Sequence, residues 1–250
     1  MRIFGLAGYP LEHSFSPAFF QQKFKNEGIT DSQYLLFPMK NIDGIRAFVL
    51  SHPEICGLNV TSPHKESILP FLDEWSEEVR AVHAANTIGL RRTPEGVVLK
   101  GYNTDIIGFK CALAALECTL PSHALIFGTG GASHAAAYVL EQQGIHIQRV
   151  SRSPHPDTIT YNDLDSEILR SHRLWVQSTP IGTYPQVEEK LPLTYKALTP
   201  GHILIDMIYN PSETAFLREG RIRGCRILNG LSMLHGQAEA SWEIWNSCSK

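Results

Sequence analysis

The sequence predicts an α/β protein made of two α/β units, with a cleft between them. Three observations carry that expectation. Strand-like runs alternate with helical patterns along the chain, the runs fall into two series, and a glycine-rich turn sits between a strand and a helix at the start of the second series. At about 150 residues per domain, 250 residues fit one or two domains.

The first series holds Arg2–Leu6, Gln33–Phe37, Gly57–Thr61, Asn86–Leu90 and Val97–Lys100, the last two joined by the turn-like Arg92-Thr93-Pro94-Glu95-Gly96. The second holds Ala124–Phe127, Ile145–Val150, Leu174–Gln177, Ile203–Ile208 and Arg226–Leu228. Helical patterns cover Pro17–Asn26, Ile42–Leu50, Trp75–His83, Asp105–Glu117, Ser133–Gln143, Thr214–Glu219 and Leu231–Trp245. Strands alternating with helices predict mostly parallel sheets covered on both faces. A boundary is expected near Lys100–Asp105, where a strand runs into a long helix without a Pro/Gly linker. Such a join is stiff, and a cleft between two units is a usual place for a ligand.

Composition excludes several classes. Lys and Arg number 22 against 25 Asp and Glu, a net charge of −3, so no broad basic face for nucleic acid is implied. No apolar run reaches the roughly 18 residues that span a bilayer, and the start MRIFGLAGYPLEHS lacks a signal-peptide layout. The five cysteines, Cys56, Cys111, Cys118, Cys225 and Cys248, contain no C-x-x-C and read as reduced thiols, neither a disulfide framework nor a metal site. A soluble cytoplasmic protein is expected, as a monomer or a homodimer.

The segment HALIFGTGGASHAAAYVLEQQG has the strand, glycine turn and helix that a phosphate loop requires. Gly128 makes the turn, Gly130 lets backbone approach a pyrophosphate, and the helix N-terminus faces the anion. Ser133 holds the third position of G-x-G-x-x-G, with Gly131 and Ala132 keeping the turn small. The next strand ends in Ser151-Arg152-Ser153, with no acid before Asp157. A carboxylate there would accept a ribose 2′-hydroxyl, whereas a guanidinium clamps a 2′-phosphate. NADP is the expected cofactor.

In the first half, Ser16 before Pro17 reads as a helix N-cap, and Ser14 and Ser16 together flank a helix N-terminus that can also receive a carboxylate. Lys65 follows the strand and turn of GLNVTSPHKES, at a carboxyl end where α/β sheets bind ligands. A lysine is more often a solvated charge, and His64 beside it is expected to pack or cap. Asn86, Asn103, Thr104 and Asp105 add polar groups, with Asp105 also readable as the cap of its helix.

Nine blocks then appear in order: GYPLEHSFSP, GLNVTSPHK, AANTIG, GYNTDIIG, GTGGASHA, VSRS, STPIGTYP, IDMIYNPSETAFL and NGLSMLHGQAEASWEIW. In that order and spacing the sequence resembles the shikimate dehydrogenases over almost its whole length. The resemblance implies a substrate-binding domain over residues 1–103, completed by the C-terminal helix 234–250, and an NADP-binding Rossmann domain over 104–233. It implies an oxidoreductase that reversibly reduces 3-dehydroshikimate to shikimate with NADPH, a step toward chorismate and the aromatic amino acids.

By the same resemblance Ser14 and Ser16 hold the shikimate carboxylate, Thr61, Asn86 and Gln237 bind ring hydroxyls, and Tyr209 lies near the carboxylate. Lys65 and Asp105 form the catalytic pair. Gly128, Thr129, Gly130, Gly131 and Ala132 cradle the pyrophosphate, Ser151, Arg152 and Ser153 take the adenosine phosphate, Met207 and Gly230 flank the nicotinamide, and Glu77 lies close to the cofactor. Two departures stand out: AFFQQKF after Ser16-Pro17, where relatives often have histidine and asparagine, and VSRS where Asn-Arg-Thr is common. The alternatives are a quinate/shikimate dehydrogenase using NAD(P) and a non-catalytic ligand sensor of the same fold. A pure binder has no need of the Lys65–Asp105 pair.

Overall fold

The computed structural model describes residues 1–12 and 14–248, so the last two residues of the expected C-terminal helix lie outside the described residues. The chain forms two compact units, Met1–Ile107 with Gln237–Lys250, and Gly108–Gly236.

The first unit holds β1 (Arg2–Gly8), α1 (Ser16–Asn26), β2 (Ser32–Pro38), α2 (Ile45–Ser51), β3 (Ile55–Val60), β4 (Glu74–Trp75), α3 (Glu77–Val82), β5 (Thr87–Thr93), β6 (Gly96–Tyr102) and the start of α4 (Asp105–Ala114). Its described strands form one sheet in the order β2-β1-β3-β5-β6-β4. β1 runs parallel to β2 and β3, but β5 is antiparallel to both β3 and β6. The first sheet is therefore mixed, its parallel pairings interrupted at β5. Thr93 pairs with Gly96, leaving Pro94-Glu95 as a two-residue hairpin loop, and so short a loop joins only antiparallel strands.

Period-two alternation divides this unit's core. Phe4 and Leu6 of β1 face Phe20, Phe24, Tyr34, Trp242 and Trp245 on one side of the sheet. Ala7 faces Ile45, Val49, Leu58, Val60 and Val79 on the other. Trp245 is fully buried, its indole N–H donates to the Ile88 carbonyl at 3.1 Å, and a Cβ on Gly57 would meet its ring at 2.2 Å. The missing side chain at Gly57 is thus what lets the C-terminal helix lie on the sheet.

The second unit continues from α4 through β7 (His123–Phe127), α5 (Gly131–Gln142), β8 (His146–Ser151), β9 (Thr158–Thr160), α6 (Ser166–Ser171), β10 (Leu174–Gln177), β11 (Ile203–Asp206), α7 (Ala215–Ile222) and β12 (Arg226–Leu228) to the start of α8 (Leu231–Cys248). Its described strands are ordered β12-β11-β10-β7-β8-β9, all parallel. The strand order reverses at β7, where a doubly wound sheet binds its ligand beyond the carboxyl ends. Leu125, Phe127, Val150, Trp175, Leu204 and Phe216 share one core cluster.

Several expected boundaries move. The helix expected over Ile42–Leu50 begins at Ile45, and the one expected to reach Glu117 ends at Ala114, with Glu117 at φ +49°. β4, β9 and α6 had no counterpart in the sequence reading. They are short, of two, three and six residues.

Candidate active site

At the carboxyl end of the first sheet, Lys65 Nζ meets Asp105 Oδ2 at 2.6 Å. The lysine side chain is 19% exposed and the aspartate 7%, so the pair is largely removed from water. Lys65 lies in the turn after β3, and its carbonyl accepts the Ala85 N–H at 2.7 Å, tying that turn to the segment before β5. Asp105 opens α4. It was also readable as that helix's cap, and the structure corrects this. Asn103 Oδ1 accepts the Ile106 N–H at 3.3 Å, leaving both Asp105 oxygens to other partners.

Asn86 takes the second oxygen, its Nδ2 donating to Asp105 Oδ1 at 2.9 Å. The Asn86 carbonyl oxygen accepts the Thr104 N–H at 2.7 Å and the Thr104 hydroxyl at 3.1 Å, which fixes the amide so that only its NH₂ can face the carboxylate. A buried carboxylate thus has one cation and one neutral donor. Stripping the cation from such a pair typically costs about 3–5 kcal/mol, because the remaining charge stays buried. His64 is buried and hydrogen-bonded to the Met39 carbonyl at 2.7 Å, a packing role.

The other expected first-unit residues lie as follows. Thr61 follows β3, its N–H donating to Ala7 O at 2.9 Å, and Gly8 leaves room for its methyl, which a Cβ there would meet at 2.4 Å. Ser14 Oγ accepts the Ser16 N–H at 3.3 Å. Phe15, not Ser16, occupies the N-cap of α1, a correction that follows because the Ser14 hydroxyl already satisfies that amide. Gln237 is half-buried on α8, and its carbonyl accepts the Ser241 hydroxyl at 2.9 Å. Glu77 is exposed in the first turn of α3, behind the Ser76 cap.

In the second unit Gly128 follows β7 with φ +117°, and a Cβ there would strike Ser178 Oγ at 2.5 Å. Gly130 is the N-cap of α5, exposed, with nothing within 4 Å of where its Cβ would be. Gly131 and Ala132 follow in the first turn, whose amides have no intrahelical acceptor. Ser133, in the place of the third motif glycine, is fully buried and its hydroxyl donates to Gly128 O at 2.7 Å. That bond ties the helix start to the turn.

Thr129 is half-buried between the two glycines. Ser151 ends β8 and its Oγ accepts the Ser153 N–H at 3.4 Å, while Arg152 is exposed. Burial pushes the Tyr161 hydroxyl up to about 12, opposed by the charge of the neighbouring Arg152. An open backbone cradle, a helix N-terminus and an arginine without an adjacent acid fit a dinucleotide carrying a 2′-phosphate.

Past β11, Met207 and Gly230 are in close backbone contact, since a Cβ on Gly230 would lie 2.1 Å from Met207 O. Tyr209 is half-buried two residues on. Asp206, which sequence reasoning passed over, sets this turn. Its Oδ1 accepts the Ile208 N–H at 2.9 Å, and its Oδ2 accepts from Thr214 at 2.6 Å and Gln177 at 2.9 Å. Also passed over were Asn59, Thr87 and Ser241, which form a buried polar group around Asn86. The available signal was a polar residue interrupting an apolar run, as in ICGLNV and ILID.

A profile of the shikimate dehydrogenase substrate binding domain matches residues 6–88. A shikimate dehydrogenase (NADP(+)) of Desulforamulus reducens is 34% identical, with 98% of this chain and 89% of that protein covered. One of Geobacillus kaustophilus is also 34% identical, over 98% of this chain and 92% of its own. The crystal structure of a shikimate 5-dehydrogenase from Thermus thermophilus, in complex with NADP(H) and shikimate, superposes with a TM-score of 0.85 at 28% identity, covering 99% of this chain and 94% of that one. The chain belongs to the shikimate dehydrogenase family. Among the described residues, no helix is long and apolar enough to cross a membrane, and no group of three or more His, Cys, Asp or Glu side chains could hold a metal ion.

Among the buried groups of this family member, Asp206 predicts a pH dependence of stability. Burial lifts its carboxyl from 3.8 to about 7 against three hydrogen bonds that favour ionisation. Between those two values the folded chain holds a proton that the unfolded chain has released. This group's contribution is therefore complete below pH 4 and lost as pH rises through 7. Urea midpoints measured from pH 4 to 8 should show this component in the wild type and lack it in Asp206→Asn. Identical pH slopes in the two proteins would contradict the assignment.

Proposed function

We propose that this chain is an NADP-dependent shikimate dehydrogenase, interconverting 3-dehydroshikimate and shikimate in the route to chorismate. The observation that carries the reading is the Lys65–Asp105 contact at 2.6 Å, locked by Asn86 at 2.9 Å. The family's sequence blocks and the NADP dependence named for its relatives support it.

NADPH, when bound, supplies a hydride to the substrate carbonyl. Reduction leaves negative charge on that oxygen, and the Lys65 ammonium is the group that stabilises it and supplies or holds the proton. Asp105 keeps the ammonium aimed and accepts a hydrogen bond from a ring hydroxyl. A fixed cation in a largely dry site favours the developing alkoxide over the ground-state ketone. Ser14 and Ser16 take the carboxylate, Thr61, Asn86 and Gln237 the ring hydroxyls, and Tyr209 the carboxylate side. Residues Gly128 to Ala132 receive the pyrophosphate, Ser151 to Ser153 the adenosine phosphate, Met207 and Gly230 the nicotinamide, with Glu77 as a further cofactor contact. The five free thiols support a reducing, cytoplasmic setting.

The direct test is NADP⁺ reduction with shikimate against quinate, with shikimate expected to be strongly preferred. Lys65→Ala should lower turnover by about 10²–10⁴-fold while leaving substrate affinity far less changed. Near-normal turnover would remove Lys65 from the mechanism. Arg152→Ala should weaken NADPH much more than NADH, measured by fluorescence titration, and equal weakening of both would reject the phosphate clamp.

A further inference from the structure

The second unit holds a cavity of about 560 Å³ that nothing in the proposed reaction uses. It lies between the C-terminal half of α4, the connection from α4 to β7 and the turn from α5 to β8. Its lining residues gather at the amino ends of β7 and β8, whereas Gly128 follows the carboxyl end of β7. At about 3.3 Å per strand residue, His123 and Gly128 stand roughly 16 Å apart. The cavity is therefore separate from the glycine turn. Its size falls in the range of small-molecule sites, about 300–1,000 Å³.

Three kinds of surface meet there. The first is apolar: Leu113 and Ile145 are buried, and Leu120 and Pro121 are half-buried. The second is a single cation. Lys110, exposed on α4, is the one charged residue among the described residues that line the space. It makes no hydrogen bond or ion pair with any described residue, and no Asp or Glu lines the cavity to neutralise it.

The third surface is electronegative. α5 ends at Gln142, and the two residues beyond it, Gln143 and Gly144, line the cavity. Their carbonyls accept no hydrogen bond from any described residue, and nothing lies within 4 Å of where a Gly144 Cβ would be. The carboxyl end of a helix carries about half a negative charge, and its open carbonyls await donors. The Ser122 hydroxyl, held to His123 Nδ1 at 3.0 Å, adds a polar group to the same lining.

We propose that this cavity binds a free α-amino acid with an apolar side chain. The carboxylate pairs with Lys110, the ammonium donates to the open carbonyls beyond α5, and the side chain covers the apolar wall. A simple anion would leave the carbonyls unmatched, and a simple cation would meet the lysine. A ligand that carries both charges beside an apolar group satisfies all three surfaces. The assignment does not depend on the reading of the Lys65–Asp105 site.

The test is an amide NMR titration of the whole chain with L-phenylalanine, repeated with NADP⁺ in excess. The Gly144 and Ser122 resonances should move saturably in both series. 3-Phenylpropionate, which lacks the ammonium, and phenethylamine, which lacks the carboxylate, should each bind about tenfold more weakly, the scale of one hydrogen bond to a charged group. Lys110→Met should weaken L-phenylalanine by about the same factor, and Lys110→Arg should retain most of the affinity. Ala114→Trp, which fills the space from an exposed position on α4, should abolish binding. A Gly144 resonance that does not respond in the wild type would overturn the inference. So would equal affinity for 3-phenylpropionate, or binding unchanged by both Lys110→Met and Ala114→Trp.

Discussion

A carboxyl group held in a dry interior either has a cation beside it or is pushed toward its neutral form, and in the first unit Asp105 has Lys65. Much of the local structure follows from it. The turn after β3 has to bring a lysine to the start of α4, and the Lys65 carbonyl is anchored by Ala85 to do so. Asn86 has to present its NH₂ and not its oxygen, and Thr104 enforces that choice with two hydrogen bonds to the oxygen. Capping of α4 has to be done by another residue, and Asn103 does it. The same ion pair that satisfies a buried charge also delivers a fixed ammonium to the end of the sheet, where a reacting oxygen can use it.

In the proposed reading the second unit solves a different problem, the reception of an anion by backbone. Its parallel strands end on one side, and the turn after β7 is kept free of side chains at Gly128 and Gly130 for two separate reasons. Gly128 has a left-handed conformation and a serine hydroxyl against it, whereas Gly130 faces open space. Ser133 shows how a departure from the glycine pattern is accommodated. Its hydroxyl closes onto the Gly128 carbonyl, replacing close packing of backbone by a hydrogen bond. Arg152 is exposed, with serines on either side of it in the chain.

How much of this the sequence disclosed depends on the length of the signal. The long strands and helices and the glycine turn could be read because each combines a period or a spacing with a residue type that the chemistry needs, whereas the pairing of Lys65 with Asp105 came from the family resemblance. The antiparallel β5–β6 pair was half visible, since Arg92–Gly96 read as a turn while its two-residue tightness did not. Short elements such as β9 carried no period to read. The cap assigned to Ser16 failed because Ser14 competes for the same amide, a contact that residue type alone does not encode. Asn59 and Ser241 were missed for a related reason. Their partners lie up to 182 positions away, and only folding brings them together.

If Lys65 and Asp105 act as one unit, their effects on catalysis cannot be independent. The most direct measurement is a double-mutant cycle on kcat/KM for shikimate oxidation with Lys65→Ala, Asp105→Asn and the combined variant. The account predicts that the combined variant is no slower than the worse of the two single ones. A combined loss equal to the product of the single losses would mean that the two side chains contribute separately, and would contradict it.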